Sequence, residues 1–312
     1  MVDVASQTYE HGYGTLIRSC QRLASQNAVP CRDSLKMSII VPVCNARNEV
    51  ERLMESLAKS GSAAGCEVIL VDDCSEAETA EYLRQVAGKN GYVHVRNDKN
   101  LGFVKTCNIG MRMASGNIYV LLNSDTVVPT DFSERILACF RSDCRIACAS
   151  PIAVHSGWFD LPFAENLDFD RVARLIAATA SPQYPEFTPE GFCLCCRKSA
   201  LDDVGLLDEA FGMGYCEEDD LVMRLLRNGY RTVLIDDLFV YHKRHASFSS
   251  ERRQILFKQN RKIFLERYGG QQEFIRSRFQ CLKITQEVTQ RIRETVKELT
   301  RRGLDGDGGT GS

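Results

Sequence analysis

From residue 37 onward the chain alternates between two incompatible periodicities, and that alternation restricts the architectures open to it. "MSIIVPV" is apolar throughout at strand length, whereas "ARNEVERLMESLAKS" brings back Val50, Leu53, Met54 and Leu57 at helical spacing. "CEVILVDD" repeats the strand pattern and "AETAEYLRQVAG" the helix, with Gly88 placed near its end. "YVHVR" predicts a third strand, "LGFVKTCNIGMRMASG" a helix and "NIYVLL" a fourth strand. Asp131 followed by Glu134 predicts a capping box that opens the helix "FSERILACFRS". Strands that are apolar on both faces and alternate with helices define an α/β chain with a mainly parallel central sheet flanked by helices.

In such sheets ligands bind beyond the carboxyl ends of the strands. Asn45 after the first strand, Asp72 and Asp73 after the second, and Asn123, Ser124 and Asp125 after "IYVLL" are therefore expected on one rim. A carboxylate ending a buried strand is costly unless something pairs with it. Asp125 and the amide of Asn123 suit a hard divalent ion that also takes oxygens from a diphosphate; a turn cap ahead of Pro129 is the alternative use of Asp125.

Composition narrows the partners. The 312 residues carry a net charge of −2, so no global basic field draws the chain to nucleic acid. The fourteen cysteines could form disulfides, but the opening "MVDVASQTYEHGYG" is polar and no apolar run approaches the ~18 residues of a membrane span. The expectation is a cytoplasmic protein with reduced thiols, in which Cys107, Cys139 and Cys148 pack as small hydrophobes. Cys193, Cys195 and Cys196 lack a second ligand pair at zinc-site spacing and are read the same way.

Beyond about residue 150, "HSGWFDLPFAENLDFD" and "ATASPQYPEFTPEG" predict long ordered loops. Glu217, Glu218, Asp219 and Asp220 stand in a row ahead of "LVMRLLRNGY". Dipole complementation at a helix start explains such a run; mutual repulsion would also raise at least one pKa, as a general base requires, with Asp220 alternatively turned inward. His242 and His245 follow the strand "RTVLIDD" and are candidate metal ligands. Residues 251–268 read as a helix with Ile255, Leu256, Ile263, Phe264 and Leu265 on its buried side. In the tail, Ile284, Val288, Ile292, Val296 and Leu299 form one apolar stripe, which should dock on the domain or pair with another copy, giving a homo-oligomer. The expected divisions are an N-terminal extension, 1–36, with a helix around 14–26; a core, 37–268, split into 37–150 and 151–250 halves; a separable C-terminal helix, 269–302; and a disordered end, 303–312.

"SIIVPVCNARNEVERLMESL", "EVILVDDCS", "NDKNLGFVKTCNIGM", "IYVLLNSDTVVP", "GFCLCCRKSALDDVGLLDEAFGMGYCEEDDLVMRLLRNGYRTVLI" and "YHKRH", in this order, resemble the blocks of the family 2 nucleotide-sugar glycosyltransferases, inverting enzymes with the type-A, Rossmann-like fold. The resemblance spans residues 37 to about 245. It implies that Pro42, Val43, Asn45, Asp72 and Asp73 hold the base and ribose, Asp73 being the partner of a uracil or thymine edge. Asn100, Gly102 and Phe103 would line the ribose and phosphates beside Asn123 and Ser124. Asp125 and His242 would hold Mn2+ or Mg2+, and Glu218 would be the base, with Glu217 and Asp219 as alternatives. Trp158, Gly191 and Phe192 would shape the sugar and acceptor side.

Cys44 stands where the family often has Tyr, the acidic run reads Glu-Glu where Glu-Asp is common, and Asn123 replaces an acid, as in members resembling rhamnosyl and other deoxysugar transferases. The implied activity moves a sugar from a UDP- or dTDP-sugar to a glycan, lipid-linked glycan or protein hydroxyl, with peripheral contact at the inner face of a membrane. A non-catalytic nucleotide-sugar-binding or scaffold subunit is the rival, and a nucleotidyltransferase would want a Gly-rich phosphate loop that "VCNARNE" does not supply.

Overall fold

The computed structural model describes residues 28–61, 65–153, 158–159, 161, 168–180, 184–243 and 250–301. The expected helix over 14–26, His245 and the 303–312 end lie outside these residues. Nine strands are described: β1 (Met37–Val43), β2 (Glu67–Asp72), β3 (Val93–Arg96), β4 (Ile118–Leu122), β5 (Thr126–Val127), β6 (Ile146–Ile152), β7 (Cys193–Arg197), β8 (Arg231–Phe239) and β9 (Tyr241–His242). Seven form one sheet in the order β3-β2-β1-β4-β7-β6-β8, and β5 pairs with β9 in a short ribbon. Only β7 runs antiparallel to its neighbours in the large sheet. Its N-terminal end therefore lies on the rim where the other strands end, beside Leu122, which pairs with Cys193.

Alternation along each strand fills both faces. Ile39, Val41, Cys193 and Cys195 enter one apolar layer, under α1 (Arg47–Lys59), α2 (Ala77–Asn90) and α4 (Phe132–Ser142). Ile40, Leu194 and Cys196 enter the other, with α3 (Phe103–Met113), α6 (Lys198–Val204), α7 (Glu217–Arg227) and Phe264 of α8 (Ser250–Tyr268). The three cysteines of β7 are thus fully buried core residues, and every described cysteine is free. No described helix is long and apolar enough to cross a membrane.

Several local expectations are corrected. α2 runs through Gly88 to Asn90 and is stopped by Gly91, at φ 70°, whose N–H bonds Ala87 O. Asp131 makes no capping bond; its carboxylate accepts from Arg135 Nε at 2.6 Å. A helix, α5 (Phe169–Thr179), interrupts the expected loops, with Asp168 Oδ1 accepting from Arg171 N–H at 3.2 Å. On α8 only Phe264 is buried among the five residues assigned to its inner side; Ile255 and Leu265 are 50% and 43% exposed.

The C-terminal helix α9 (Gln272–Arg301) lies against the domain. Cys281, Ile284, Val288 and Ile292 are buried in a third apolar cluster with Val172, Ile176, Leu234 and Phe239 of α5 and β8. Arg291 Nη2 bonds Asp236 Oδ2, a fully buried carboxylate on β8, at 2.8 Å. Ile284, Val288 and Ile292 of the apolar stripe are thus covered by this chain's own residues.

Candidate active site

β1 and β4 pair only as far as Ile40 and Leu121. Val43 O accepts Asp73 N–H at 2.7 Å, so the backbone of Val43 faces β2 and that of Pro42 faces β4, beyond the end of that ladder. A residue without an N–H can occupy this central strand because no donor is called for there. The strand order reverses at the same place, between β1 and β4, which is where open α/β sheets form a ligand crevice.

The β1 and β2 ends are tied into one unit. Asn45, at φ 62°, donates its N–H to Ser75 Oγ at 2.9 Å and accepts from Glu76 N–H at 2.7 Å. Asp72 is fully buried, accepts from Ser75 N–H at 2.8 Å and pairs with Arg96. The Asp73 carboxylate accepts from Leu101 N–H at 2.8 Å, Gly102 N–H at 2.9 Å and Asn97 Nδ2 at 2.9 Å. Asp73 thereby fastens the loop that carries Asn100, Gly102 and Phe103 to the crevice. Asn100 Nδ2 donates to Cys44 Sγ at 3.2 Å, so these two side chains meet at the mouth. Gly102 has φ 85°, and a β-carbon there would stand 2.8 Å from Met213 Sδ. Gly102→Ala is expected to lower stability by about 1–3 kcal/mol, read as an earlier urea midpoint with an unchanged slope.

Past β4, Asn123 N–H bonds Phe192 O at 2.9 Å, and Thr126 Oγ1 donates to Asn123 O at 2.7 Å. These bonds shape a turn over Ser124 and Asp125. Thr126 pairs with His242 in the β5–β9 ribbon, and Lys243 N–H bonds Asp125 O at 3.0 Å. The ribbon brings His242 Nε2 within 3.3 Å of Asp125 Oδ1. Phe192 stacks on the imidazole with ring centroids 5.1 Å apart. Among the described residues no third His, Cys, Asp or Glu joins the pair.

Gly191, one residue from Phe192, leads to the acidic run. A β-carbon on Gly191 would lie 3.7 Å from the Glu218 carboxyl carbon and 3.8 Å from Glu217 Oε1; one on Gly214 would lie 3.9 Å from Glu217 Oε1 and 3.6 Å from Phe103 Cβ. Glu217 and Glu218 thus sit between the loop at Gly191 and the start of α3. Burial pushes the Glu217 carboxyl up to about 7. Glu218 is held well above its ordinary value, first by burial and then by the charges of Glu217 and Asp219. One oxygen of each, Oε2, is buried without a hydrogen-bond partner. Asp219 is raised by burial and opposed by Arg278 and Arg261. Asp220 turns inward: its carboxylate accepts from Arg224 Nε at 2.8 Å, Arg267 Nη1 at 3.0 Å and Tyr268 Oη at 2.9 Å.

Five supporting residues lie outside the motifs. Asn260 of α8 donates to Phe211 O at 2.7 Å and Gly214 O at 2.6 Å, holding the loop that enters the acidic run. Arg278 of α9 stands 3.6 Å from Asp219, and its guanidinium lies 5.0 Å from the Trp158 ring centroid. Trp158 therefore meets the site through Arg278 rather than within the crevice, its ring 5.7 Å from that of Phe187. Thr188 N–H bonds Cys281 Sγ at 3.0 Å and Thr188 Oγ1 meets Ser277 Oγ at 2.5 Å, anchoring the strand of chain that leads to Gly191. A lone Asn, Ser or Arg on a charged helix gives little in sequence to mark such a role.

A sheet of this order, with its crevice between β1 and β4 and acids opposite, defines an open α/β architecture with a ligand crevice beyond its strand ends. The family model for glycosyl transferase family 2 matches residues 38–205, more than half of the chain, and the protein belongs to that family. A dolichol-phosphate mannosyltransferase of Pyrococcus furiosus is 22% identical over 231 residues, which cover 74% of this chain and 63% of that protein. An uncharacterized glycosyltransferase of Haemophilus influenzae is 33% identical over 105 residues, 32% of this chain and 33% of that one. The chain thus spans less than two thirds of the length of these relatives. A mannosyltransferase from Pyrobaculum calidifontis, solved with GDP-Man and Mn2+, superposes with a TM-score of 0.58 over 94% of this chain and 83% of its own, at 16% identity. That likeness establishes the type-A glycosyltransferase fold.

Proposed function

We propose that this protein is a metal-dependent inverting glycosyltransferase that moves a hexosyl or deoxyhexosyl unit from a nucleoside-diphosphate sugar to an acceptor hydroxyl. The observation that carries the reading is the pair of buried, partly unpartnered carboxyls of Glu217 and Glu218 beside Gly191, one residue from the Phe192–His242–Asp125 cluster. A scaffold that only binds nucleotide has no use for a base of raised pKa at that place.

The nucleotide would lie over the β1–β4 split, against Asn45, the Asp72–Asp73 turn and the loop of Asn100, Gly102 and Phe103, with its diphosphate toward Asn123, Ser124 and Asp125. Asp125 and His242 fit a shared Mn2+ or Mg2+: two donors each about 2.1 Å from one ion at a right angle stand about 3 Å apart, close to the 3.3 Å found. Diphosphate oxygens and water would complete the ligands, and the ion would stabilise negative charge on the departing group. Glu218 takes the proton from the acceptor hydroxyl as that oxygen bonds the anomeric carbon. The bond from that carbon to the phosphate oxygen breaks, the nucleoside diphosphate leaves with the electron pair, and configuration inverts. Asn123 in place of an acid removes one anionic ligand, consistent with the rhamnosyl-like variant of the motif. A glycan, lipid-linked or protein acceptor, peripheral membrane contact and cytoplasmic location complete the reading.

The test is calorimetric titration with UDP, dTDP and GDP, each with and without manganese. Metal-dependent binding of one nucleotide is expected, with Asp125→Ala and His242→Ala weakening it at least about tenfold because each removes one of two protein ligands. No binding of any nucleotide to folded protein would favour the scaffold subunit.

A further inference from the structure

α8 is the element whose exposed face the site leaves unexplained. Of the large hydrophobic side chains exposed in the described residues, Ile255, Phe257 and Leu265 lie on α8 and Ile275, Phe279 and Leu282 on α9. Phe257 and Leu265 share one groove, and grouped apolar exposure of this kind marks an interaction surface. Phe257, Lys258, Arg261, Lys262, Leu265 and Glu266 line one shallow groove along α8. Lys258, Arg261 and Lys262 line this groove against the single acid Glu266, in a chain whose net charge is −2; Arg267 of the same helix is turned to Asp208 and Asp220. Glu266 is held near Lys262, at 3.8 Å.

A second copy of this chain would set basic face against basic face, so charge complementarity selects an acidic partner. Apolar and basic side chains mixed along one helix suit the boundary of an anionic bilayer, where rings and aliphatic groups enter the acyl edge and ammonium groups meet phosphates. The face also borders the site: the Phe257 ring lies edge-on to Tyr215, centroids 6.2 Å apart, and Tyr215 precedes Cys216 and the acidic run.

We infer that the exposed basic and apolar face of α8 docks this protein on an anionic lipid surface, so that acceptors are met at the membrane beside the Tyr215 loop. The inference rests on the transferase reading for its consequence but has its own readout.

The experiment is co-sedimentation of the full chain with phosphatidylcholine vesicles, with and without phosphatidylglycerol. Binding is expected only with the anionic lipid, and it should fall as salt screens the basic side chains. Lys258→Glu with Lys262→Glu should weaken it at least about tenfold, since each basic residue near such a surface contributes about 1 kcal/mol. Ile255→Ser with Leu265→Ser should weaken it while leaving the salt dependence. Four results overturn the proposal: no sedimentation of the parent protein, equal binding to neutral vesicles, variants that bind as the parent does, or a parent dimer that the serine variant converts to monomer. Metal-dependent nucleotide binding by the same variants keeps a failure of this surface distinct from a failure of the transferase reading.

Discussion

Glu218→Gln is expected to lower turnover by about 10²–10⁴-fold while donor nucleotide still binds, because the amide keeps the shape of the side chain and cannot accept a proton. Single-turnover kinetics together with calorimetry separate the two effects. In the parent enzyme, activity should rise with pH through a region set by the Glu217–Glu218 pair, since the base must be ionised. Burial holds Glu217 near 7 rather than its ordinary 4.5 and Glu218 above its ordinary value. The same residues act on stability with a definite sign. A carboxyl that holds its proton more tightly folded than unfolded costs nothing at low pH; stability is lost as pH rises from the unfolded value through the folded one. Glu218→Gln removes that loss, so the variant should be more stable than the parent at pH 8 and nearly equal to it in mild acid. Full turnover by the variant would move the base to Glu217 or Asp219.

Deleting residues 280–312 is expected to unfold the domain, against the sequence expectation of a separable tail. The deletion removes Cys281, Ile284, Val288 and Ile292, which are between 0% and 7% exposed. Removal of buried side chains of this size costs about 2–5 kcal/mol each for the larger ones, and a domain has only about 5–15 kcal/mol in total. It also takes Arg291 from the buried Asp236 carboxylate, and loss of one partner of a buried pair is itself severe. Circular dichroism on heating should show no cooperative transition in the truncated chain. The single change Ile292→Ala should fold with a lowered midpoint, and a cooperative melt of the truncated protein at the parent temperature would show that the helix is dispensable.

These two residue sets differ in how far sequence could reach them. Strand-end acids are legible because a run such as "IYVLL" fixes where β4 stops, and the polar residues after it can only lie on the rim. Asp125 is found in that way, and the acidic run by its four adjacent carboxylates ahead of a helix. Their companions are named by the family resemblance but by no local pattern: His242 meets Asp125 only through the β5–β9 ribbon, and Gly191 meets Glu218 because β7 runs antiparallel and delivers its first residues to the opposite strands' ends. The use of Asp73 is equally non-local, since its acceptor sites are taken by N–H groups from the Asn97–Gly102 loop. Misassigned faces have a single cause. On α8, apolar residues point in several directions, and periodicity cannot tell a buried direction from an exposed one when both carry hydrophobes.

The sequence by itself determined the α/β class, the order of the first βα units, the family and the rim on which the acids stand. The class, the order and the rim follow from local periodicity and from strands that must be buried on both faces, and the family from the resemblance carried by the motif blocks in their order. Tertiary structure alone decided which acids remain partnered, that Asp220 turns inward while Glu217 and Glu218 keep a buried unpaired oxygen each, and that α9 belongs to the core. Those outcomes depend on burial and charge contributed by segments distant in the chain, such as Arg267, Tyr268 and Arg278 around the acidic run, and no local pattern encodes a neighbour supplied by packing.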